Sequence, residues 1–472
     1  MAAVSTNANV LAMLKIFYKD KPENLLFRNS PVFSKIGKER IEGKSANFPA
    51  LAGFSGGVGG SYKKALDSAN EVGTTAQWAV TPGQVFGVVA FNNKEVLASK
   101  TDKGAFLRIA DAKMFTSFDA VKKVLATALY GRGYGEICAS GYTTAITADT
   151  AFEITGLPDY AMMTLVPGMK IDLKSSITST TVLCTLTVDK ANGNTITVTP
   201  DKSVAAGSLA ATDILCVANS MDASGNPVLP MGLAGWLPNV HGRVDTGSGT
   251  NEWSDYVANS FMGVVRNVNQ DALCGAYVPT PGSSEKYNIT VQKLLRKLRR
   301  QGSKADLIIL NDEDFATLAS EIETTNTYFT QTSSKSKKTG NVGIYDITAA
   351  FSTNYVENLY DDPFCPKGRF YICDSDTIKF WSYTNADKVL NVGVPGNEAG
   401  TTEVEEGDNV SGKPYQLLID DLLSLQPGQA SDDGPSTVIG INVYASFVVT
   451  NTAHNGVGNF YGNSDIQVAA AA

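Results

Sequence analysis

The chain has 472 residues, 43% hydrophobic and 18% charged, which excludes a disordered or fibrous polymer and exceeds one core at roughly 100–200 residues per domain. Its net charge of −8 argues against a dedicated nucleic-acid binder, which needs a basic face. Only two histidines, His241 and His454, leave little material for neutral-pH acid–base chemistry or zinc ligation.

Residues 1–42 read as a leader with a short helix over 10–18 and a turn at Asn29-Ser30-Pro31. The start lacks a basic n-region and a sustained apolar stretch, so no signal peptide is expected. No run of about 18 apolar residues occurs anywhere, so no membrane span is expected. Residues 43–66, GKSANFPALAGFSGGVGGSYKKAL, are rich in Gly and Ala and can bury little against themselves. Glycine loses the most backbone entropy on ordering, so this stretch predicts an extended arm that gains order from a neighbour. Residues 85–89 within GQVFGVVAF read as a strand after the turn Thr81-Pro82-Gly83. The segments 46–52 and 85–91 are expected to pair as one long hairpin, with the glycine tract and SYKKAL at its tip.

Next comes an amphipathic helix over 107–130. Met114, Phe118, Val121, Leu125 and Ala128 recur at the spacing of one helix face, Phe115, Val124 and Leu129 widen the stripe, and Gly131 and Gly133 end it. Such a helix runs roughly 36 Å. Residues 146–235 change to Thr, Val, Ile and Gly, with strand pieces MKIDL, TTVLCTLTVD, NTITVTP and DILCVA and a hairpin turn at DKANGN. This pattern predicts a small β-barrel or sandwich that looks inserted.

Residues 250–280 read as helix with loops. VQKLLRKLRRQG is a short helix stopped by Gly302, ADLIILN a buried strand, and DEDFATLASEI a helix N-capped by Asn311. Together they predict a compact α/β unit. QTSSKSKKTG (331–340) reads as a polar loop, RFYICD, TIKFWSY and TVIGINVYASFVVT as strands, and NSDIQVAAAA as a frayed tail. The six cysteines (Cys138, Cys184, Cys216, Cys274, Cys365, Cys373) have no CxxC spacing and predict reduced, buried thiols in a cytosolic setting.

This order of parts resembles the major capsid proteins of tailed double-stranded DNA phages, the Hong Kong 97-like fold. NLLFRNSPVFSKI (24–36) resembles the family's arm, 43–91 its extended loop, and DAKMFTSFDAVKKVLATALYGRGYG (111–135) its spine helix. KLLRKLRRQGSKADLIILNDEDFATLASEI (293–322) resembles the axial-domain helix, strand and helix. DPFCPKGRFYICDSDTIKFW is similar to the late strand pair, and VIGINVYASFVVTN to the strand returning to the peripheral domain.

The resemblance implies an α+β fold divided as follows: arm 1–42, extended loop 43–104, spine helix of the peripheral domain 105–145, inserted β-rich domain 146–235, peripheral domain 236–290, axial domain 291–430, return strand and tail 431–472. It implies a non-catalytic shell subunit without cofactor or metal, forming hexamers and pentamers of an icosahedral head assembled in the host cytoplasm. Packaged double-stranded DNA would meet its inner face, and a portal and decoration proteins are further implied partners, with no membrane. Some relatives fuse a helical scaffolding segment to the leader. None is seen here, so a separate scaffolding protein, or none, is expected. Candidate inter-subunit contacts are Arg28, Phe54, Val58, Tyr62, Lys63, Lys64 and Arg132. Lysines near the loop tip bond covalently to a neighbour's asparagine in some relatives; here a solvated role for Lys63 and Lys64 is favoured. An encapsulin-type compartment shares the fold and is the alternative.

Other motifs compete less well. Gly53-Phe54-Ser55-Gly56-Gly57 matches GxSxG, but that elbow needs a strand before Ser55 and a helix directly after it, with His454 as base. The glycine tract lacks the Lys of a phosphate loop. Gly131, Gly133 and Gly135 follow a helix, whereas a dinucleotide turn follows a strand. Lys293, Arg296, Lys297, Arg299 and Arg300 read as a solvated basic helix face, with an acidic neighbour or packaged DNA as the sharper alternative. The acidic groups at Asp361-Asp362, Asp374-Asp376 and Glu403-Glu405-Glu406 lack calcium-loop spacing and read as turn and surface charges. Trp78, Trp236, Trp253 and Trp381 read as core or interface anchors.

Overall fold

A computed structural model describes residues 32, 36–41, 45–53, 57–68, 75–92, 109–238, 252–281, 284–325, 358–382, 424–426 and 436–461. In chain order, β1 (Gly37–Arg40), β2 (Ala46–Leu51), α1 (Tyr62–Ser68), β3 (Thr75–Val80), β4 (Gly83–Asn92) and α2 (Ile109–Ala128) come first. Six strands follow: β5 (Glu136–Ala139), β6 (Phe152–Thr155), β7 (Lys170–Lys174), β8 (Val182–Asn192), β9 (Thr195–Pro200) and β10 (Ile214–Val217). Then come β11 (Ser260–Phe261), β12 (Val264–Val265), β13 (Ala276–Val278), α3 (Tyr287–Arg300), β14 (Leu307–Leu310) and α4 (Asp312–Thr325). The last strands are β15 (Asn358–Asp361), β16 (Arg369–Cys373), β17 (Ile378–Ser382), β18 (Ser424–Gln426), β19 (Ser436–Val449) and β20 (Gly456–Asn459). The fold is mixed α+β.

The chain forms two compact units, one from residues within 84–125 and 383–444, the other from residues within 30–83, 126–382 and 445–472. In the first, β18 pairs antiparallel with the start of β19, Leu425 opposite Ile439. There the rings of Phe86 and Tyr444 meet edge to face at 5.8 Å. This unit also holds most of α2, the long helix expected over 107–130. Val121, Val124 and Leu125 are buried at helical spacing. The helix ends at Ala128, and the N–H groups of Tyr130 and Gly131 close its last turn onto Thr127 and Ala128 carbonyls. Gly133 and Gly135 take the left-handed backbone beyond it, at φ 85° and 68°.

In the second unit, β5–β10 make one six-stranded antiparallel sheet in the order β5-β10-β7-β8-β9-β6. Alternation drives it: Cys184, Leu186 and Val188 of β8 and Ile196 and Val198 of β9 point into one core while the threonines between them stay half-buried. The turn expected across DKANGN is tighter, because β8 runs to Asn192 and Gly193 turns the chain at φ 55°.

A second sheet of this unit is mixed, in the order β13-β20-β16-β14-β15. β14 is parallel to β15 and antiparallel to β16, and β13 is parallel to β20. All four residues of β14 and all five of β16 are buried, as a central strand covered on both faces requires. α3 lays Val291, Leu294, Leu295 and Leu298 into a core with Ile308, Leu310, Phe370 and Ile372. Gly302 stops the helix region at φ 79°. Asn311 accepts from the Glu313 N–H at 3.1 Å and donates to the Cys365 carbonyl at 2.9 Å, so the expected cap also fixes a loop. Elsewhere β1 lies parallel to β17, and β17 pairs antiparallel with the end of β19, Phe380 opposite Phe447.

One expectation is corrected. Residues 46–51 pair antiparallel with β3, Phe48 opposite Trp78, and not with 85–91; β4 pairs instead with β19. The physical reason is β3's alternation, which buries Trp78 and Val80 and exposes Thr75, Gln77 and Ala79, a one-faced strand matched to β2. The helix over 10–18, the loop 331–340 and the tail lie outside the described residues.

Candidate inter-subunit surface

The β2–β3 hairpin is fixed at its base and open at its tip. At the base, the Trp78 ring centroid sits 5.3 Å from that of Trp236, which is 5.1 Å from Phe261. Phe48 meets Trp236 at 6.1 Å and Trp381 edge-on at 5.6 Å. The Trp236 indole donates to the Phe447 carbonyl at 2.8 Å. The Ala79 N–H donates to the Met262 carbonyl at 2.9 Å, and the Asn269 amide donates to the Ala52 carbonyl.

A buried cation sits in this cluster. Arg266 places its guanidinium 4.1 Å from the Tyr256 ring centroid and 4.4 Å from that of Phe261, and donates to the carbonyls of Gly235 (3.1 Å) and Tyr256 (3.2 Å). Loss of hydration lowers its pKa from the ordinary range, and aromatic faces and carbonyl dipoles offset part of that loss. The Tyr256 hydroxyl donates to the Trp236 carbonyl at 2.9 Å, and removal from water pushes that phenol up to about 12. Sequence reasoning missed Arg266; the available signal was a lone basic residue between 250 and 280 amid aromatics.

Toward the tip, burial disappears. Val58 is 82% exposed, Tyr62 84% and Leu66 53%. Tyr62 and Leu66 stand four apart on α1 and therefore share one face. Lys63 and Lys64 are also exposed on α1. Ser61 starts that helix, its carbonyl accepting from the Ala65 N–H at 3.0 Å. A side chain on Gly59 would meet the Ala65 backbone nitrogen at 3.1 Å, so glycine permits the close turn into the helix. The expectation that the whole 43–91 stretch lacks self-contacts is therefore corrected: β2, β3 and the base are built into the body, while the described tip, 57–68, presents unburied apolar groups. Burying such groups against a partner is worth about 1.5–3 kcal/mol for each large side chain.

Of the other candidate contacts, Arg28 and Phe54 lie outside the described residues. Arg132 sits in the loop between α2 and β5, its N–H donating to Glu136 at 2.6 Å. The structure thus brings Val58, Tyr62, Lys63 and Lys64 together at the tip and places Arg132 on a separate segment.

The chemistry-bearing motifs find structural places. Ser55 lies outside the described residues; His454 has Nδ1 3.5 Å from the Asp374 carboxylate and accepts at its carbonyl from the Ser303 hydroxyl. Asp362 and Asp374 are buried, correcting the surface reading: Asp362 accepts from the Phe364 N–H and the Tyr130 hydroxyl, and Asp374 accepts from the Asp376 N–H. Trp253, expected as an anchor, is half-exposed and stacks on Tyr277. Among the described residues, no group of His, Cys, Asp and Glu could hold a metal, and no helix is long and apolar enough to cross a membrane. All six cysteines are buried, and none is in a disulfide.

No protein-family model matches the sequence, and no curated protein does. Among solved structures, the chain is similar to one from the cyanophage A-1(L) capsid asymmetric unit, with 14% identity, a TM-score of 0.48, and coverage of 96% of this chain and 99% of that one. It is similar to a chain of Mycobacterium phage Adephagia at 12% identity and a TM-score of 0.39, covering 96% and 97%. A chain from the capsid of a native GTA particle is similar at 8% identity and a TM-score of 0.42, covering 98% and 99%.

Proposed function

We propose that the chain is a major capsid protein of the Hong Kong 97-like class, a structural and non-catalytic subunit that assembles with copies of itself into the icosahedral head of a tailed double-stranded DNA phage. The observation that carries this reading is the anchored hairpin whose tip holds Val58, Tyr62 and Leu66 in solvent. An isolated globular protein gains nothing from such a tip, whereas a shell subunit buries it against the next copy. The long helix α2 and the helix–strand–helix α3-β14-α4 follow the hairpin in the order expected of that class.

In this reading 1–42 is the arm, 43–104 the extended loop, 105–145 the spine helix, 236–290 and 431–472 peripheral, and 291–430 axial. Strands β6–β10 of the six-stranded sheet form the core of an inserted domain at 146–235, and β5, at Glu136–Ala139, pairs with it from the preceding segment. Hexamers and pentamers form by repeated tip-to-neighbour contacts, in which Arg28, Phe54, Val58, Tyr62, Lys63, Lys64 and Arg132 take part. Scaffolding, portal and decoration proteins are its auxiliary partners, and DNA its enclosed cargo. The subunit would assemble in the host cytoplasm and reside in the virion.

The test is the double variant Val58→Asp/Tyr62→Asp. The subunit should remain folded by circular dichroism, because neither side chain is in a core, yet form no closed shells by electron microscopy. Normal shells from the variant would end the proposal.

A further inference from the structure

On the face of α3 away from its core, Lys293, Arg296, Lys297 and Arg300 recur at three, four and seven positions, forming one stripe of cations. The stripe is roughly 10 Å long. It lines a cleft of about 480 Å³ together with Val278, Pro279, Thr280, Pro281 and Glu285. Two cations are engaged: Lys293 pairs with Glu285 at 2.6 Å, and Lys297 donates to the Tyr277 carbonyl at 2.6 Å. Among the described residues, Arg296 and Arg300 have no carboxylate partner. Two guanidinium groups without a carboxylate partner on the lining of one cleft point to a missing anion.

We propose that this cleft binds a short chain of phosphate groups, as in a free oligophosphate or the phosphate tail of a nucleotide. Arg296 and Arg300 stand four apart on one helix face and offer two planar forks for successive phosphates. The cleft is open to solvent, and its volume falls within the range of small-ligand sites. A bound peptide strand fits less well, because Pro279 and Pro281 offer no N–H groups for main-chain pairing. The inference does not depend on the capsid reading, and its failure would leave that reading untouched.

Isothermal titration calorimetry of the full chain with sodium tripolyphosphate tests it. Saturable binding of one ligand per chain is expected. Arg296→Ala/Arg300→Ala should weaken it by about tenfold or more. Lys304→Ala, an exposed charge off the stripe, should leave binding within about twofold. Both arginines are exposed, so circular dichroism of the variants should match the parent. The proposal is overturned by absence of saturable binding, by equal affinity in the double variant, or by a Lys304→Ala loss as large as the double variant's. Binding of duplex DNA or polyglutamate without binding of tripolyphosphate overturns it too.

Discussion

The Tyr130 hydroxyl donates to the Asp362 Oδ2 at 2.8 Å, joining the turn after α2 to the residue that follows β15 across 232 positions of sequence. Both side chains are fully buried, and burial, followed by the Asp362 charge, holds the Tyr130 phenol well above its ordinary pKa. Tyr130→Phe leaves a buried carboxylate oxygen short of its donor. It should lower stability by roughly 1–3 kcal/mol, read from urea denaturation. A change below roughly 0.5 kcal/mol would mean the bond contributes nothing beyond shape.

Gly232 has ordinary backbone angles (φ −110°), so only space demands glycine there. A Cβ at this position would lie 2.0 Å from the Ala128 carbonyl oxygen and 2.4 Å from that of Leu129, at the end of α2. Gly232→Ala should therefore lower stability by about 2–3 kcal/mol or prevent soluble folding. Gly207→Ala, where a Cβ meets nothing within 4 Å, should stay within about 0.5 kcal/mol. Similar denaturation midpoints for the two variants would refute the steric argument.

At alkaline pH, Tyr256 should contribute a measurable slope. Its folded pKa, pushed up to about 12, lies above the ordinary 10.0, so the native state holds this proton more tightly than the unfolded chain. The resulting stability is complete below pH 10 and drains away as pH rises towards 12. Tyr256→Phe should be less stable than the parent at neutral pH, with a gap that narrows across that interval. Parallel stability curves for parent and variant would contradict this assignment.

Thiol accessibility gives a fourth check. Burial pushes the Cys216 thiol up to about 12 and those of Cys184 and Cys274 up to about 11, while Cys373 rises further. An aromatic disulfide reagent at neutral pH should titrate none of the six cysteines in the folded chain and all six in denaturant. Rapid reaction of one native thiol would show that its surroundings open.

Much of this architecture was legible because periodicity carries it. Leu294, Leu295 and Leu298 announced the buried face of α3, and the alternation in NTITVTP announced β9. Pairing was harder. GQVFGVVAF is the more apolar strand and drew the partnership with β2, yet TTAQWAV holds Trp78, whose ring finds its place only beside Trp236 and Phe261 from distant segments. β20 was invisible for the opposite reason. Its sequence, GVGN, reads as a turn, but a Cβ on Gly458 would lie 2.3 Å from the Phe370 ring and one on Gly456 2.8 Å from Leu294. Those glycines serve close packing of a strand, which no local pattern reports. At the candidate surface, glycine content pointed to the tip but not to the Arg266-centred anchor beneath it.

The position of β20 also bears on when a newly made chain can finish folding. Residues 456–459 lie between β13 and β16, interior to the mixed sheet, so a gap stays open there until β20, which follows β19 in the chain, has been made. β13 and β16 meet only through this late strand, and such distant pairing is slow to form. A nascent chain that stops short of β20 therefore cannot present this sheet completed to other molecules.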